Sequence, residues 1–378
     1  MKLLIQPENG IKPLIEALRK AKKSIRILIF RFDRVEIEKA LVDAVGRGVA
    51  VHALIAHTNQ GEEKTLRRLE MRLLAQGITV ARTADDLVRY HGKMLIIDDE
   101  FLYILGFNFT HMDIDLSRSL GVVITKSSIV KEAIRLFECD SNRRPFTKPK
   151  GDLVVSPVNA RKRLIEFIAG TRKTLLIYEM KISDRDFLKL LNKKISSGVE
   201  VRILSRASAK SGAIPVRRLP SRLHLRAMLR DGNTAFLGSQ SLRKLELEAR
   251  REIGVIFRDR KIVKQMEAVF ERDWKGSEPI VEDSKLVSAL VVPAKKVAKE
   301  VAKQIKIGPV VEQVIEKVID PKDPTPFEPD EVAQTVREAF HEEVQDAVQE
   351  ALKEVVITAA AQEDAPSVEE KSGWAEKG

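Results

Sequence analysis

Residues 90–119, YHGKMLIIDDEFLYILGFNFTHMDIDLSRS, set His91, Lys93 and Asp98 at the spacing H-x-K-x4-D within a run of strand-forming apolar residues, and Asn108 follows. In an extended backbone, residues two apart share a face, so His91 and Lys93 point to the same side. An imidazole and an ammonium on one face suit a phosphate. The spacing returns in residues 222–241, RLHLRAMLRDGNTAFLGSQS, as His224, Arg226 and Asp231, with Ser239 and Ser241 after the Asp at the matching distance.

The two motifs belong to two matching halves, and such a repeat governs how the whole fold is read. Residues 6–55 lie over 156–205 without a gap: Pro7 and Asn9 meet Pro157 and Asn159, Leu14-Ile15-Glu16 meets Leu164-Ile165-Glu166, and Gly48-Val49 meets Gly198-Val199. Further on, Ile129–Asp140 matches Ile262–Asp273. Each half begins with a helix whose apolar positions, Leu14, Ile15 and Leu18 in the first, recur at helical spacing. A strand (Ile25–Phe32), a helix (Ile37–Val45) closed by a glycine-bearing turn at Gly48, and a strand (Val49–Ile55) follow. This alternation predicts parallel strands joined by right-handed crossovers, in a sheet covered on both faces. The first half adds a helix over Glu62–Ala75 and a strand over Ile78–Arg82, where the second has the shorter loop Ala207–Gly212. The motif strands come last, Lys93–Ile97 and Phe101–Leu105 against Arg226–Leu229 and Thr234–Leu237. Asp98-Asp99 and Asp231-Gly232 stand where tight hairpin turns are expected.

A chain of 378 residues has room for two cores and a further small element. The boundaries expected are 1–148 and 149–280 for the halves and 281–378 for a helical tail. In the tail, residues 284–319 carry Val, Ile and Lys at helical spacing, a Pro-rich linker spans Asp320–Pro329, and Asp330–Val356 reads as an acidic amphipathic helix. Its expected partner is a protein surface or a second copy of the chain, with a lysine-rich membrane-surface helix at Lys285–Lys306 as the rival reading. The formal charge of +11 favours anionic partners: nucleic acid, an anionic membrane surface or phosphate-bearing molecules. The single cysteine, Cys139, rules out an intrachain disulfide and cysteine-rich metal sites. The opening MKLLIQPENGIKP lacks the apolar core of a signal peptide, and no run approaches the ~20 apolar residues that cross a bilayer. A cytoplasmic protein, soluble or peripheral to a membrane, is expected.

Two imidazoles from related halves suit a two-step displacement at a phosphodiester, one attacking phosphorus and the other handling the proton of the leaving and entering oxygens. Lys93, Arg226, Asn108, Ser239 and Ser241 supply donors for the phosphoryl oxygens, so no metal or cofactor is expected. The pattern resembles the phospholipase D superfamily, marked by H-x-K-x4-D-x6-G-S-x-N in each half of a pseudo-symmetric α/β sandwich. The likeness covers residues 5–275 and leaves the tail aside. His91, Lys93 and Asp98 match the first motif, whose G-S-x-N stands as Leu105, Gly106, Phe107 and Asn108, so the Asn is kept and the Ser is not. His224 and Asp231 match the second, with Arg226 for Lys, Gly238 and Ser239 in place, and Ser241 for Asn. The resemblance implies two α/β/α sandwich halves, His91 as nucleophile, His224 as general acid, and an acidic residue behind an imidazole. Glu252 occupies that acidic position in the second half, and Ser119 is its counterpart in the first.

The remaining histidines, His52, His57, His111 and His341, fit no pattern and read as structural or exposed. Asp98 and Asp231 read as turn or salt-bridge residues that support the fold. Tyr178-Glu179 fall on a strand facing the cleft, and the basic run from Arg217-Arg218 to Arg222 precedes His224, as a solvated face or a collector of anions. The function expected is a phosphodiesterase or phosphatidyltransferase acting on phospholipid, of the phospholipase D or cardiolipin synthase type. The rivals are a nuclease of the same superfamily and a catalytically weak phosphate-binding module. Arg226 in place of Lys keeps the charge but not the compact ammonium geometry, which is what the third reading rests on.

Overall fold

A tight turn fixes each motif hairpin. Asp98 and Asp99 have φ of 55° and 59°, and Asp231 and Gly232 have 53° and 61°. Two consecutive positive φ values are what a two-residue turn needs to match the twist of its strands. Asp98 then reaches back to accept the backbone N–H groups of Lys22 (3.0 Å), Lys23 (2.6 Å) and Ser24 (3.0 Å). Asp231 accepts those of Arg172 (3.1 Å), Lys173 (2.7 Å) and Thr174 (3.1 Å). The motif aspartates therefore fasten the hairpin to the start of the neighbouring strand.

The computed structural model describes residues 1–57, 63–206 and 214–280. In the first half these form β1 (Lys2–Gln6), α1 (Lys12–Lys20), β2 (Ser24–Ile29), α2 (Val35–Gly46), β3 (Ala50–Ile55), α3 (Glu63–Ala75), β4 (Thr79–Arg82) and β5 (Arg89–Tyr90). They continue as β6 (Met94–Ile97), β7 (Phe101–Leu105), α4 (His111–Asp115), β8 (Ser117–Ile124) and α5 (Ser127–Ser141). The second half gives β9 (Leu153–Val155), α6 (Ala160–Ala169), β10 (Thr174–Glu179), α7 (Arg185–Ser196), β11 (Glu200–Ser205), β12 (Val216–Arg218), β13 (Arg222–Leu223) and β14 (Arg226–Arg230). It closes with β15 (Thr234–Gly238), α8 (Lys244–Glu248), β16 (Arg250–Arg251), β17 (Ile253–Phe257), α9 (Arg260–Lys275) and β18 (Glu278–Pro279). The tail elements and the loop at 207–212 expected from the sequence lie outside the described residues.

The α/β expectation holds, with parallel strands at the crossovers and a hairpin at each motif turn. The first sheet runs β1-β8-β7-β6-β2-β3-β4 and the second β18-β12-β11-β10-β14-β15-β17-β9. Within each half, β2-β3-β4 and β10-β11-β12 are parallel, while β6, β7, β8 and β1, with their counterparts, are antiparallel. The reason is local: a crossover helix forces parallel pairing, whereas the two-residue turns at Asp98 and Asp231 force the chain straight back. The strand predicted to run to Phe32 stops at Ile29, which frees Phe30 to face His91.

Side-chain alternation sorts the core. On β2 and β6, Ile25, Ile27, Leu95 and Ile97 pack outward under α1, α2 and α3, while Leu28, Met94 and Ile96 face inward. The inward set merges with Leu176, Ala227 and Leu229 of the second sheet and with the apolar faces of α5 and α9 into one shared core. Helices α6 and α7 cover the outer face of the second sheet. Period-two alternation on both sheets gives each an outer face under its own helices and an inner face on a common core that α5 and α9 share. The two halves form one compact unit, Met1–Val281.

Candidate active site

Each motif histidine is held in place by the opposite half. β5 pairs in parallel with β16, and the His91 N–H donates to the carbonyl of Arg251 at 2.8 Å. β13 pairs in parallel with β8, and the His224 N–H donates to the carbonyl of Arg118 at 3.0 Å. These are matching bonds under the internal repeat. Both histidines are 7% exposed, and charge on His224 disfavours charge on His91, so the two rings share one electrostatic environment.

Behind the His91 ring lies Glu252, with Nδ1 2.9 Å from Oε2. Burial holds the His91 imidazole well below its usual value, and Lys93, Arg226 and His224 push it the same way. Burial raises the Glu252 carboxyl against the pull of Lys93, Ser239 and Arg226. The neutral ring keeps its proton on Nδ1, facing the carboxylate, and leaves Nε2 as the acceptor. Lys93 Nζ lies 2.7 Å from that Nε2 and 2.8 Å from the His91 carbonyl oxygen. Burial lowers the Lys93 ammonium to about 7, so it is poised between charged and neutral forms near physiological pH.

His224 has a different support. Its Nδ1 is 3.0 Å from Oδ2 of Asp113 on α4. Asp113 also accepts the Asn108 N–H (2.9 Å), the Asn108 Nδ2 (2.6 Å) and Arg222 Nη1 (2.7 Å). Burial would raise the Asp113 carboxyl, but His224, Arg222 and Asn108 outweigh it and hold it well below the usual carboxylate range. Burial brings the His224 imidazole down to about 4, Asp113 opposing and Arg226 and Lys93 adding. The resting ring is therefore neutral, with its Nδ1 facing an ionised carboxylate.

Of the residues expected at the site, His91, Lys93, Glu252, His224, Arg226, Asn108, Ser239 and Ser241 gather here, all buried. Several are engaged within the protein. Ser239 Oγ accepts the Ile253 N–H at 3.1 Å, Arg226 Nε donates to Ser241 Oγ at 3.0 Å, and Asn108 is tied to Asp113. Arg226 Nη1 is buried and, among the described residues, has no hydrogen-bond partner. Asp98 and Asp231 stand apart from the histidines, at the opposite ends of the motif strands β6 and β14. His111 is exposed, as expected, and the basic run divides: Arg222 clamps Asp113 and Ser117, while Arg217 packs over Trp274.

Sequence reasoning missed Asp113. It sought the partner of Glu252 at the matching position, Ser119, whereas the carboxylate behind His224 sits on a short helix before β8. A signal was present: Asp113 follows Asn108 at the same interval that Glu246 follows Ser241. Glu246 Oε2 accepts the Ser241 N–H at 3.1 Å, as Asp113 accepts that of Asn108. Glu179, on the strand expected to face the cleft, is buried and accepts the Leu242 N–H at 2.9 Å; burial raises it to about 7, Arg226 opposing.

The family model described as cardiolipin synthase, PLD-like domain, matches residues 14–141 and 164–274, one stretch in each half. The chain belongs to the phospholipase D superfamily. Among solved structures, this superfamily member is similar to the polyphosphate kinase of Porphyromonas gingivalis, at 19% identity and a TM-score of 0.63, over 74% of this chain and 48% of that one. It therefore spans about half the length of that kinase. It is also similar to the phosphatidylserine synthase of Haemophilus influenzae Rd KW20, at 14% identity and a TM-score of 0.60, over 74% of this chain and 87% of that one. At these identities the likeness is one of fold. No curated protein matches the sequence. Among the described residues, no helix is long and apolar enough to cross a membrane.

Proposed function

We propose that this chain is a phosphodiesterase or phosphatidyltransferase that acts on phospholipid through a covalent phosphohistidine. The observation that carries the reading is the pair of buried neutral imidazoles, one from each half, each with its Nδ1 against a carboxylate. His91 Nε2 attacks phosphorus, forming a P–N bond as the P–O bond to the leaving group breaks. His224 delivers a proton to the leaving oxygen. That proton comes from solvent: the bound phosphodiester anion supplies the counter-charge that lets His224 take it up on Nε2 before the first step. His224 then takes the proton of water or an alcohol, whose oxygen attacks phosphorus and breaks the P–N bond, restoring neutral His91. Glu252 stabilises the cationic phosphorylated ring, and Lys93 and the partnerless Nη1 of Arg226 meet the phosphoryl oxygens. Lys93 exchanges its contact with His91 Nε2 for one with substrate, which uncovers the nucleophile.

Support for phospholipid comes from the family description and from the phosphatidylserine synthase among the similar folds. The formal charge of +11 suits an anionic membrane surface. It equally suits nucleic acid, so a superfamily nuclease is the second reading. The proposed organisation has halves 1–148 and 149–280 each contributing one histidine, with 281–378 as an appended tail. The purified full-length chain, incubated in EDTA with mixed anionic liposomes and a primary alcohol, is expected to release head group or form the alcohol ester. Strand cleavage of single-stranded or duplex DNA instead moves the assignment to a nuclease. Binding without turnover in either assay leaves a phosphate-binding module. Phosphate trapped on His91→Asn protein overturns the choice of nucleophile.

A further inference from the structure

The repeat exposes a second difference between the halves, away from the histidines. In the second half, Trp274 at the end of α9 stacks on Phe270, with ring centroids 5.8 Å apart and planes at 16°. The guanidinium carbons of Arg202 and Arg217 lie 5.5 Å and 5.2 Å from the indole centroid. This stack fills the space between α9 and the inner face of the parallel strands. In the first half the residues at the same positions are smaller. Ser141 stands for Trp274, since Ile129–Asp140 lies over Ile262–Asp273, and His52 stands for Arg202. Leu54 pairs with Ala81 as Leu204 pairs with Arg217, so Ala81 takes the place of Arg217. Phe137, the counterpart of Phe270, remains.

The result is a cavity of about 550 Å³ between α5 and strands β2, β3 and β4. That size falls within the range of small-molecule sites. Phe137, Ala53 and Ala81 line it as apolar surface. Three cations, Arg26, Arg135 and Arg144, face it against one carboxylate, Glu138. Arg135 is tied to Glu132, whereas Arg26 pairs with the exposed Asp99 across a contact that a ligand anion displaces at little cost. The Ser141 hydroxyl has no hydrogen-bond partner among the described residues. Arg26 lies near the start of β2 and Phe30, beside His91, just past its end, so roughly 13 Å of strand separates the cavity from the catalytic centre.

We propose that this cavity is a binding site, separate from the histidine pair, for a nucleotide. The cavity lies at the place that the Trp274 indole takes in the second half, which fits a planar nucleobase. The guanidinium groups of Arg26 and Arg144 meet the phosphate, because planar forked donors match its oxygens.

Calorimetric titration of the full-length protein tests this with AMP, GMP, CMP and UMP one by one, and with adenosine and inorganic phosphate as partial ligands. At least one nucleotide is expected to bind saturably, with its base-only and phosphate-only fragments at least about tenfold weaker, a loss of ~1.4 kcal/mol each. Ser141→Trp, which copies the second half, and Arg144→Ala are each expected to weaken the nucleotide by about tenfold or more. His91→Asn is expected to leave binding unchanged. Absence of binding by all four nucleotides overturns the proposal, as does binding that survives Ser141→Trp. Loss of binding in His91→Asn places the nucleotide at the catalytic centre and also overturns it. If Ser141→Trp melts below the unaltered protein, Ala81→Arg and Arg144→Ala decide by the same criteria. Phospholipid turnover is read in parallel on Arg144→Ala, so failure of this site and failure of the proposed chemistry are told apart.

Discussion

His91 and His224 stand at matching places of the repeat, yet the carboxylate behind each comes from a place the repeat does not match. Glu252 directly follows the strand residue whose carbonyl holds the His91 backbone, and Ser119 stands in its slot in the other half. Asp113 comes from α4 and does for His224 what its counterpart Glu246 does not do for His91. Ser239 and Glu252 are replaced together, by Gly106 and Ser119. A Cβ at Gly106 would lie 2.8 Å from the Leu120 carbonyl oxygen and 3.0 Å from Ser119 Oγ, so the first half has closed over the space that the Ser–Glu pair uses in the second. The backbone that presents the two imidazoles is duplicated faithfully, while the groups that set their charge have diverged. That divergence is what the proposed division into a nucleophile and an acid requires.

The comparison breaks most directly at the histidines. His91→Asn is expected to lower turnover by ~10⁴-fold or more, and His224→Asn by ~10²–10⁴-fold, measured as alcohol exchange on liposomes. A substrate with a nitrophenolate leaving group, which departs without a proton, is expected to restore the first step in His224→Asn and not in His91→Asn. Equal rescue of both variants removes the division of roles.

The carboxylates come next. Glu252→Gln and Asp113→Asn are each expected to cost on the order of 10²-fold in kcat, because each holds one imidazole in its working tautomer. Asp113→Asn is expected to be rescued by the good leaving group and Glu252→Gln is not. The reverse pattern exchanges the two histidines' tasks.

Lys93 provides a readout in stability. Its ammonium loses a proton near pH 7 in the folded chain and near 10.5 when unfolded. Between those values the unfolded chain binds more protons, so stability rises with pH across that window. Lys93→Met abolishes this dependence. It is expected to melt on the order of 5 °C higher than the unaltered protein below pH 7, with the gain fading toward pH 10. A constant gain at all pH values contradicts a buried, titrating ammonium.

The smallest effects fall where the halves agree. Asp98→Ala and Asp231→Ala each remove a carboxylate that accepts three backbone N–H groups and are expected to cost about 1–2 kcal/mol, equally, with kcat little changed. A large loss of kcat in either variant gives these aspartates a part in the chemistry.

Much of this was legible in the chain. The spacing of His91 and Lys93, repeated at His224 and Arg226, pointed to the paired site, and the overlay of Pro7, Asn9 and Gly48 on their counterparts pointed to two like halves. The hairpins at Asp98-Asp99 and Asp231-Gly232 were legible too, but alternation of apolar residues shows which face of a strand is buried and not which strand lies beside it, so the antiparallel places of β8 and β1 went unread. Asp113 escaped because its partner is distant in sequence and belongs to the other half. The interval from Asn108 to Asp113, repeated from Ser241 to Glu246, marks the position but does not name a histidine as its partner.

The bonds from His91 to Arg251 and from His224 to Arg118 have a consequence for synthesis. A ribosome that has released only the first half has exposed one imidazole without the carbonyl that anchors it or the glutamate that steadies it. Under the proposed chemistry the nascent chain is inert toward the phosphate esters around it until residues near the end of the second half have left the exit tunnel and laid themselves beside the first.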